Sequence, residues 1–364
     1  RTRCRRLVHD PVAQARANLD RWFARGRPGE SRHWAQFDPR IQQLTDLSGF
    51  RQINAQGDDM SLGLDDTRIS QDRETEVFFG RLRRRWGIKA ILALSESRVG
   101  RPPSTQVELQ PGDVAVVDLN DLYLAHFALT LYDALQQRLK RPTRRVLEIG
   151  AGYGGTTAKL ALLLPSTRFT IIDLPPANLL QAYYLSELFP GEVTVLPHAA
   201  TNEGAAISTR FTICSQTVET TSAIRFDGVI NTRSFAEMES SEISRYFDLI
   251  QLTLNPGGIL MNVNRFTKLG NRFRDYPYDS RWSVIDSRPS LGQETKIWSL
   301  VTQRLARDNH VFSFWKLKYW VFTRRPMRTF FNLAARRRMW WSIVSRRLQR
   351  LVVVWSQVAT RKWN

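Results

Sequence analysis

The chain has 364 residues, of which 42% are hydrophobic and 11% aromatic, and this excludes a disordered protein and allows about two domains. Two cysteines exclude a disulfide framework, and no run reaches the roughly 18 apolar residues needed to cross a bilayer, so we expect a cytoplasmic protein. The net charge of +19 is concentrated late in the chain, since residues 309–364 contain 13 Lys and Arg and no Asp or Glu.

The first 140 residues are predicted to be mostly helical. Apolar residues recur at helical spacing in Pro11–Arg25 and Thr75–Trp86, and Asp121–Leu139 is predicted to be one long helix. Val114–Val117 is predicted to be a strand. We expect residues 1–140 to cover the substrate or to mediate dimerisation, so a homo-oligomer is one expected assembly.

Residues 141–308 alternate between strands and helices, a pattern that predicts a parallel sheet with both faces covered. The seven predicted strands are Arg145–Ile149, Arg168–Ile172, Glu192–Leu196, Phe226–Asn231, Ile259–Val263, Trp282–Ile285 and Lys296–Val301. The last two are expected to form a closing antiparallel pair. The stretch from His198 to Arg225 is long and polar, and we predict that it connects the third and fourth strands.

A glycine-rich turn follows the first of these strands. Gly150, Gly152 and Gly155 satisfy the dinucleotide-binding pattern G-x-G-x-x-G, and Asp173 lies where it could hold the hydroxyls of a ribose. Glycines at such a turn let backbone N–H groups approach a ligand closely. The pattern alone leaves open a dinucleotide, S-adenosylmethionine, or a tight turn that needs glycines for its own geometry.

Two details of the turn favour S-adenosylmethionine over a dinucleotide. Glu148 stands two positions before the first glycine, where a carboxylate suits a ligand with a cationic amino-acid end and would repel a pyrophosphate. Gly154 extends the turn to G-x-G-x-G-G, which suits a compact ligand with no phosphate to cradle.

The same residues carry a resemblance to a known family. The segment Val146-Leu-Glu-Ile-Gly-Ala-Gly-Tyr-Gly-Gly155, followed by Ile171-Ile-Asp-Leu-Pro175, resembles the class I S-adenosylmethionine-dependent methyltransferases. Within that class the chain is most similar to the sugar O-methyltransferases of bacterial surface-glycan gene clusters. Further matching segments are Glu96–Pro102, Val229–Met238, Tyr246-Phe247, Asn264–Lys268 and Tyr276–Asp279 with Trp282.

The resemblance implies a fold, a cofactor and a reaction. The implied fold is α/β, with a Rossmann-like seven-stranded class I methyltransferase sheet at 141–308, an N-terminal mostly helical region and a basic C-terminal helical tail. The implied reaction transfers a methyl group from S-adenosyl-L-methionine to a sugar hydroxyl of a bacterial surface glycan or its precursor. The candidate cofactor-binding residues are Glu148, Gly150, Gly152, Tyr153, Gly154, Gly155, Asp173, Leu174, Asn231 and Ser234.

Methyl transfer to a sugar hydroxyl needs a group that takes the proton as the oxygen attacks. Glu237, six residues beyond the fourth strand, is the first candidate for this base, with a solvated carboxylate as the alternative. His198, just beyond the third strand, is the second candidate, because imidazole titrates near neutrality.

Polar and aromatic side chains after strands four and five are candidates for binding the acceptor. They are Arg233, Asn264, Arg265, Lys268, Tyr276 and Tyr278. The cations and the amide suit a polyhydroxylated or anionic acceptor. The two tyrosines could stack on a sugar face or could pack the final hairpin, and the sequence leaves both open. No ligand spacing requires a metal, and we predict none.

Residues 309–364 are predicted to be a basic, Trp-rich amphipathic helical tail, with one long helix from Arg328 onward. Six of the eleven tryptophans lie between Trp315 and Trp363, and arginines cluster opposite the apolar face. Such a helix can lie in a membrane interface with its arginines on anionic headgroups. This would place the protein at the inner membrane surface and suit a lipid-linked acceptor. The alternative is a helix that packs on the catalytic domain or on a dimer partner.

Two other functions stay open from the sequence. A nucleic-acid methyltransferase would explain the basic and aromatic residues, but strand four ends in Asn-Thr-Arg-Ser rather than the Asn/Asp-Pro-Pro-Tyr used on exocyclic amines. A nucleic-acid partner is therefore disfavoured. The other alternative is a non-catalytic glycan- or membrane-binding module on a methyltransferase fold, although Glu148, the glycines and Asp173 are all present.

Overall fold

The computed structural model describes residues 10–26, 47–51, 72–95, 99–102, 104–196, 209–215, 224–265, 267–268, 270–289 and 297–307. All of these residues belong to one unit, Arg1–His310. The predicted tail helix with its membrane contact at 311–364, and the candidate base His198, lie outside the described residues. None of the described helices combines the length and apolar character needed to span a membrane.

Helices predominate in the described part of the N-terminal region, as predicted, and one hairpin accompanies them. These elements are α1 (Pro11–Ala24), α2 (Asp72–Trp86), α3 (Ile88–Ser95), β1 (Thr105–Gln110), β2 (Asp113–Val117) and α4 (Leu119–Arg138). Helix α4 begins two residues before its predicted start because Asp118 caps it, accepting hydrogen bonds from the N–H groups of Asn120 and Asp121 at 3.3 and 3.1 Å.

Strands and helices alternate from Arg145 onward. The strands are β3 (Arg145–Ile149), β4 (Arg168–Asp173), β5 (Val193–Val195), β6 (Phe211–Ser215), β7 (Phe226–Thr232), β8 (Leu254–Arg265), β9 (Thr267–Lys268), β10 (Asn271–Arg272), β11 (Trp282–Pro289) and β12 (Ile297–Arg304). The helices are α5 (Gly155–Leu163), α6 (Pro175–Leu188) and α7 (Ser240–Thr253). Single 3-10 turns occupy Phe235–Glu237 and Phe273–Asp275.

The central sheet has the order β11-β12-β8-β7-β3-β4-β6-β5. Strands β5, β6, β4, β3, β7 and β8 are parallel, and β12 runs antiparallel to both of its neighbours. Burial along β3 and β7 is nearly continuous, because helices cover both faces of a parallel sheet. The predicted Rossmann-like sheet with its closing antiparallel pair is therefore confirmed.

One predicted element is wrong, because an additional strand lies beside β4 in the sheet. Within the described residues the sheet has eight strands rather than seven, because Phe211–Ser215 forms β6 between β4 and β5. This segment lies in the stretch that we predicted to be a polar connection. All five of its residues are buried. It carries only three apolar residues between polar flanks, so its hydrophobic pattern is too short to predict a strand.

The topology sets where a ligand can bind. Strand β3 pairs with β4 on one side and with β7 on the other. After β3 the chain builds the β4, β6 and β5 side of the sheet, and it then crosses to the opposite side of β3 to form β7 and β8. In open parallel sheets, ligands bind outside the carboxyl ends of the strands at this kind of switch point. The glycine turn, Asp173 and the residues after β7 all lie along that edge, which we call the carboxyl edge.

Candidate functional site

The glycine turn between β3 and α5 has a backbone that only glycine adopts without strain. Gly150, Gly152 and Gly154 have φ values of +67°, +59° and +88°. The Gly150 N–H donates to the carbonyl of Ile172 on β4 at 2.9 Å, and the Gly154 N–H donates to the carbonyl of Ala151 at 3.0 Å. Since Gly154 precedes the first residue of α5, the turn feeds directly into the helix N-terminus. The predicted glycine-rich turn between a strand and a helix is therefore present at these positions.

The carboxylate of Asp173 faces this turn from the end of β4. It accepts hydrogen bonds from the N–H of Gly152 at 3.1 Å, the N–H of Leu174 at 2.8 Å and Nε2 of Gln181 at 2.8 Å. The Gln181 amide also donates to the carbonyl of Gly152 at 2.8 Å. Burial raises the pKa of Asp173 to about 7, although these hydrogen bonds lower it. Gln181 therefore ties Asp173 to the turn.

Glu148 lies beneath the turn and is fully buried. Its Oε2 accepts hydrogen bonds from the N–H of Thr157 at 3.0 Å and from the Thr157 hydroxyl, so it stabilises the first turn of α5. Its Oε1 is buried with no hydrogen-bond partner among the described residues. Burial raises the pKa of Glu148 to about 7, and the nearby charge of Asp173 raises it further. Two interacting carboxylates thus flank the glycine turn.

The raised pKa of Glu148 predicts a pH-dependent stability. The folded protein keeps a proton on Glu148 up to about pH 7, whereas the unfolded chain releases it near pH 4.5, so the free energy of unfolding falls as pH rises between these values. We expect this group to remove about 2 kcal/mol between pH 5 and pH 8. Urea unfolding at both pH values should show that Glu148→Gln lacks this part of the pH dependence. Equal pH dependence in the two proteins would contradict the assignment.

Tyr153 was predicted to contact the cofactor, but its side chain lies in the core. Its side chain is buried, and its hydroxyl donates to Oδ1 of Asp121 on α4 at 3.2 Å. Its ring packs against Tyr184, with ring centres 4.8 Å apart, and under the guanidinium of Arg51 at 5.1 Å. The side chain thus points into the N-terminal region, because an aromatic ring in this turn gains more by packing than by facing solvent.

A buried ionic cluster surrounds that hydroxyl. Asp121 lies 3.1 Å from Arg51 and 3.3 Å from Lys159 on α5, and Asp118 also pairs with Arg51. All four side chains are at most 3% exposed. Burial lowers the pKa of Lys159 and raises that of Asp118 to about 6. We call Arg51, Asp118, Asp121 and Lys159 the ionic cluster, and it joins the N-terminal region to the helix that follows the turn.

Asn231 and Asn264, predicted to bind cofactor and acceptor, are fully buried and bonded to protein groups. Asn231 Nδ2 donates to the carbonyl of Ile149 at 2.8 Å, and its Oδ1 accepts from Nδ2 of Asn264 at 2.7 Å. Asn264 also donates to Oδ1 of Asn262 at 2.6 Å. This row of amides links the ends of β3, β7 and β8. These buried side chains support the carboxyl edge. A direct contact with a ligand would require some of their hydrogen bonds to break.

Ser234 and Arg233 do lie at the edge. A Cβ on Gly150 would meet the Ser234 Oγ at 1.9 Å, so the serine packs directly on the first glycine of the turn. Arg233 has φ +63°, a conformation that strains residues other than glycine and that is often found at functional sites. Its guanidinium lies 5.2 Å from the ring centre of Tyr123, and its Nε is buried with no hydrogen-bond partner in the described part of the chain.

The candidate base Glu237 and the candidate acceptor-binding Lys268 form an ion pair with each other. Their side chains are 15% and 20% exposed, so the pair is reachable from the edge. The Glu237 N–H donates to the carbonyl of Ser234 at 2.9 Å, which places the glutamate one 3-10 turn from the residue that touches Gly150. Arg265, at the end of β8, is partly buried near the same edge.

The alternative that we left open for Tyr276 and Tyr278 is the one observed, because both rings are buried and lie in an aromatic cluster. Phe247 lies 5.9 Å from Tyr276 and 4.8 Å from Tyr278, and Trp282 lies 5.6 Å from Tyr278. The Tyr278 hydroxyl accepts a hydrogen bond from Asn262 at 3.1 Å. Neither ring can stack on a sugar without leaving this cluster, which corrects their prediction as acceptor contacts.

Three residues at this site were absent from our predictions. Gln181, Asp121 and Asn262 are polar residues at positions where the surrounding pattern is apolar. A buried polar residue needs a partner, so a polar residue on the apolar face of a helix or inside a hydrophobic strand is a usable signal. Among the described residues, no group of three or more His, Cys, Asp or Glu side chains could hold a metal ion.

No family model matches the chain. No curated protein matches it either.

Several solved structures resemble the chain, and their names are those of methyltransferases. The mitomycin 7-O-methyltransferase MmcR is 13% identical with a TM-score of 0.34, over 51% of this chain and 57% of that one. The amino pentose methyltransferase CalS10 from Micromonospora echinaspora is 18% identical with a TM-score of 0.29, over 44% and 56%. An rRNA methylase from Streptococcus thermophilus is 16% identical with a TM-score of 0.34, over 48% and 93%. These low scores support no inference about the reaction or the acceptor.

Proposed function

We propose that the carboxyl edge binds S-adenosyl-L-methionine and that the chain is a methyltransferase acting on a sugar hydroxyl of a bacterial surface glycan or its precursor. One observation carries the cofactor. The carboxylate of Glu148, which is buried, and that of Asp173, which is partly buried, interact across the glycine turn. Each has a pKa of about 7. Adding a cationic ligand stabilises their charged forms, whereas adding an anion opposes them.

The hydrogen bonds of the turn argue against a dinucleotide. In a pyrophosphate site the first N–H groups of the turn face the phosphates. Here the Gly152 N–H donates to Asp173, so a phosphate at this position would meet a carboxylate in place of a donor. Beneath the turn, Oε1 of Glu148 is a buried acceptor with no hydrogen-bond partner among the described residues, and a cationic ligand would stabilise the charged form of this carboxyl group. An amino-acid sulfonium ligand fits this polarity, and a ribose diol fits Asp173.

Binding of both ribose hydroxyls would require one rearrangement in the protein. A carboxylate offers about four acceptor positions, and protein donors to Asp173 already fill three of them. Gln181 is the donor that can move, because the other two are backbone N–H groups. We infer that Gln181 releases Asp173 when the ribose binds and keeps its bond to the Gly152 carbonyl.

Glu237 is the proposed base, and Lys268 is the residue that positions it. When bound, the cofactor supplies a methyl group on a positively charged sulfur, which the acceptor oxygen attacks in line. Glu237 accepts the proton of that hydroxyl, and the ion pair with Lys268 holds the carboxylate at the edge. Arg233, whose backbone is strained and whose guanidinium lies over the ring of Tyr123, is the proposed contact for polar groups of the acceptor.

Glu237→Gln is expected to lower kcat by about 10²- to 10⁴-fold, because a missing general base removes that much of the rate. Affinity for S-adenosylhomocysteine should be unchanged, since Glu237 does not belong to the turn. Single-turnover methyl transfer measures the first quantity and calorimetry the second. The matched control is Glu242→Gln, which removes another ion-paired glutamate, the partner of Arg245, and should leave both quantities unchanged. An unaltered kcat in Glu237→Gln would remove Glu237 from the mechanism.

The acceptor itself is tested by transfer of labelled methyl groups. The protein is incubated with labelled cofactor and either a bacterial surface-glycan fraction or total RNA from the same cells. We expect label in the glycan fraction, recovered as an O-methyl sugar after acid hydrolysis. Label in RNA and none in glycan would contradict the sugar proposal and support the nucleic-acid alternative.

A further inference from the structure

A second charged cleft lies at the opposite edge of the sheet. It has a volume of about 570 Å³, and five arginines line it together with a single acidic residue, Asp227. The arginines are Arg141, Arg144, Arg145, Arg168 and Arg225. Arg145 and Arg168 are the first residues of β3 and β4, and Arg225 directly precedes β7, so this is the amino edge of the parallel strands. Strand β3 alone separates it from the glycine turn by about 13 Å.

The one carboxylate in this cleft has no capacity left for the other arginines. Asp227 pairs with Arg141, accepts hydrogen bonds from the N–H groups of Arg144 and Arg145 at 2.7 and 3.3 Å, and accepts another from Asn255 at 2.8 Å. These bonds lower its pKa against the effect of burial. Asp227 is therefore charged, and all of its acceptor positions are filled. Its hydrogen bonds fix the backbone of Arg144 and Arg145.

The remaining guanidinium groups lack acidic partners. Among the described residues, no carboxylate pairs with the side chains of Arg144, Arg145, Arg168 or Arg225. The Arg225 guanidinium donates one hydrogen bond to the carbonyl of Leu252 at 2.7 Å, which leaves its charge uncompensated. Arg145 and Arg168 are register partners on neighbouring strands, where like charges directly opposite each other are destabilising. Protein surfaces ordinarily intersperse charges of both signs. A cluster of like charges on adjacent strand ends is an arrangement that a bound anion would stabilise.

The backbone beneath these side chains is fixed by hydrogen bonds. The Arg168 N–H donates to the carbonyl of Arg144 at 2.9 Å, and the Thr167 hydroxyl donates to the carbonyl of Thr143 at 2.8 Å. Rigid attachment of this kind reduces the ordering needed when a ligand binds. The cleft is concave and lies within the usual volume range of small-molecule sites, about 300 to 1,000 Å³.

We propose that this amino-edge cleft binds a soluble small molecule that carries at least two phosphate groups. Guanidinium groups bind phosphate through two parallel hydrogen bonds, which makes arginine the residue best suited to such ligands. One phosphate monoester carries about −1.5 to −2 charge, so a single phosphate would neutralise roughly half of the charge on the four arginines that lack an acidic partner. The concave shape favours a discrete molecule over a flat membrane surface. This site is separate from the carboxyl edge and does not depend on the proposed methyl transfer.

The test is calorimetric titration of the full chain with sodium pyrophosphate at 150 mM salt and without divalent cations. We expect one site, weakened at least tenfold in Arg145→Gln/Arg168→Gln and by a smaller factor in the exposed single variant Arg144→Gln. Arg84→Gln, which removes an exposed arginine from α2, should stay within twofold of the wild type. Melting temperatures confirm that each variant is folded, and Arg144→Gln carries the test if the double variant is not.

Three results would overturn the proposal. The first is equal pyrophosphate affinity in the wild type and in the folded cleft variants, which would locate binding elsewhere on this basic chain. The second is equal affinity for pyrophosphate and for inorganic monophosphate, which would indicate charge attraction without a built site. The third is binding to vesicles with 30% phosphatidylserine, lost in the cleft variants, with no binding of pyrophosphate, since that would make the cleft a membrane contact.

Discussion

Gly150→Ala is expected to abolish binding of S-adenosylhomocysteine and to lower the free energy of unfolding by about 2 to 5 kcal/mol. The sum has two parts. An alanine at φ +67° adopts a left-handed conformation that costs about 1 to 2 kcal/mol. Its Cβ would also lie 1.9 Å from Ser234 Oγ and 2.3 Å from Ser234 Cβ, and such overpacking costs about 1 to 3 kcal/mol. Relief of this clash requires Ser234 and the glycine turn to move apart, and this movement would distort the proposed binding site for the ligand.

Two variants separate these contributions. Gly191 has φ +78° and no atom within 4 Å of the place that a Cβ would take, so Gly191→Ala carries only the backbone cost and should leave ligand affinity unchanged. In Gly150→Ala/Ser234→Gly the clash is removed, because the next atom, Asn231 Nδ2, would lie at an ordinary 3.8 Å. Urea unfolding should place this double variant near Gly191→Ala. If Gly150→Ala already behaves like Gly191→Ala, the close contact between Ser234 and the turn is wrong.

Asp121→Asn is expected to lower the free energy of unfolding by about 3 to 5 kcal/mol, because removing one partner of a buried ion pair leaves an uncompensated buried charge. Asp121 is 0% exposed and serves two cations, Arg51 and Lys159. Arg51 keeps Asp118, whereas among the described residues Lys159 keeps the carbonyl of Leu94 at 2.5 Å and no carboxylate. Most of the loss should therefore arise from Lys159.

A double-mutant cycle tests that origin. Lys159→Met in the Asp121→Asn background removes the uncompensated charge, so the double variant should be more stable than Asp121→Asn alone. Asp133→Asn, on the same helix, loses an exposed hydrogen bond from the side chain of Gln137 at 2.8 Å and should change stability by less than about 0.5 kcal/mol. Additive effects of Asp121→Asn and Lys159→Met in urea unfolding would contradict the pairing of these two residues.

The parts of the fold that are encoded locally could be predicted from the sequence. Strand β3 and the glycine turn follow from three apolar residues and the spacing of the glycines, and the structure has both. Strand β6 could not be predicted, because Phe211–Ser215 is buried by its neighbours β4 and β5 rather than marked by its own pattern. A short strand between two others takes its stability from tertiary pairing, which a local pattern does not record.

The candidate site divides in the same way. The positions of Glu148, Asp173 and Glu237 relative to the strand ends follow from sequence spacing. The partners of their neighbours do not, because they come from distant parts of the chain. Asn231 is bonded to Asn264, 33 residues away, and Tyr153 is bonded to Asp121, 32 residues away. From sequence spacing we predicted that the side chains of Asn231 and Tyr153 contact a ligand at the carboxyl edge. In the structure both side chains are buried and bonded to other protein groups.

The most direct test of the proposed cofactor is a calorimetric comparison of S-adenosylhomocysteine with NAD⁺ on the full chain at pH 7.5. We predict one S-adenosylhomocysteine bound per chain and no heat from NAD⁺. We also predict at least tenfold weaker binding in Asp173→Ala, which lacks the carboxylate facing the turn, with folding checked by circular dichroism. Binding of NAD⁺ in place of S-adenosylhomocysteine, or no binding of S-adenosylhomocysteine to the folded wild type, would contradict the proposal.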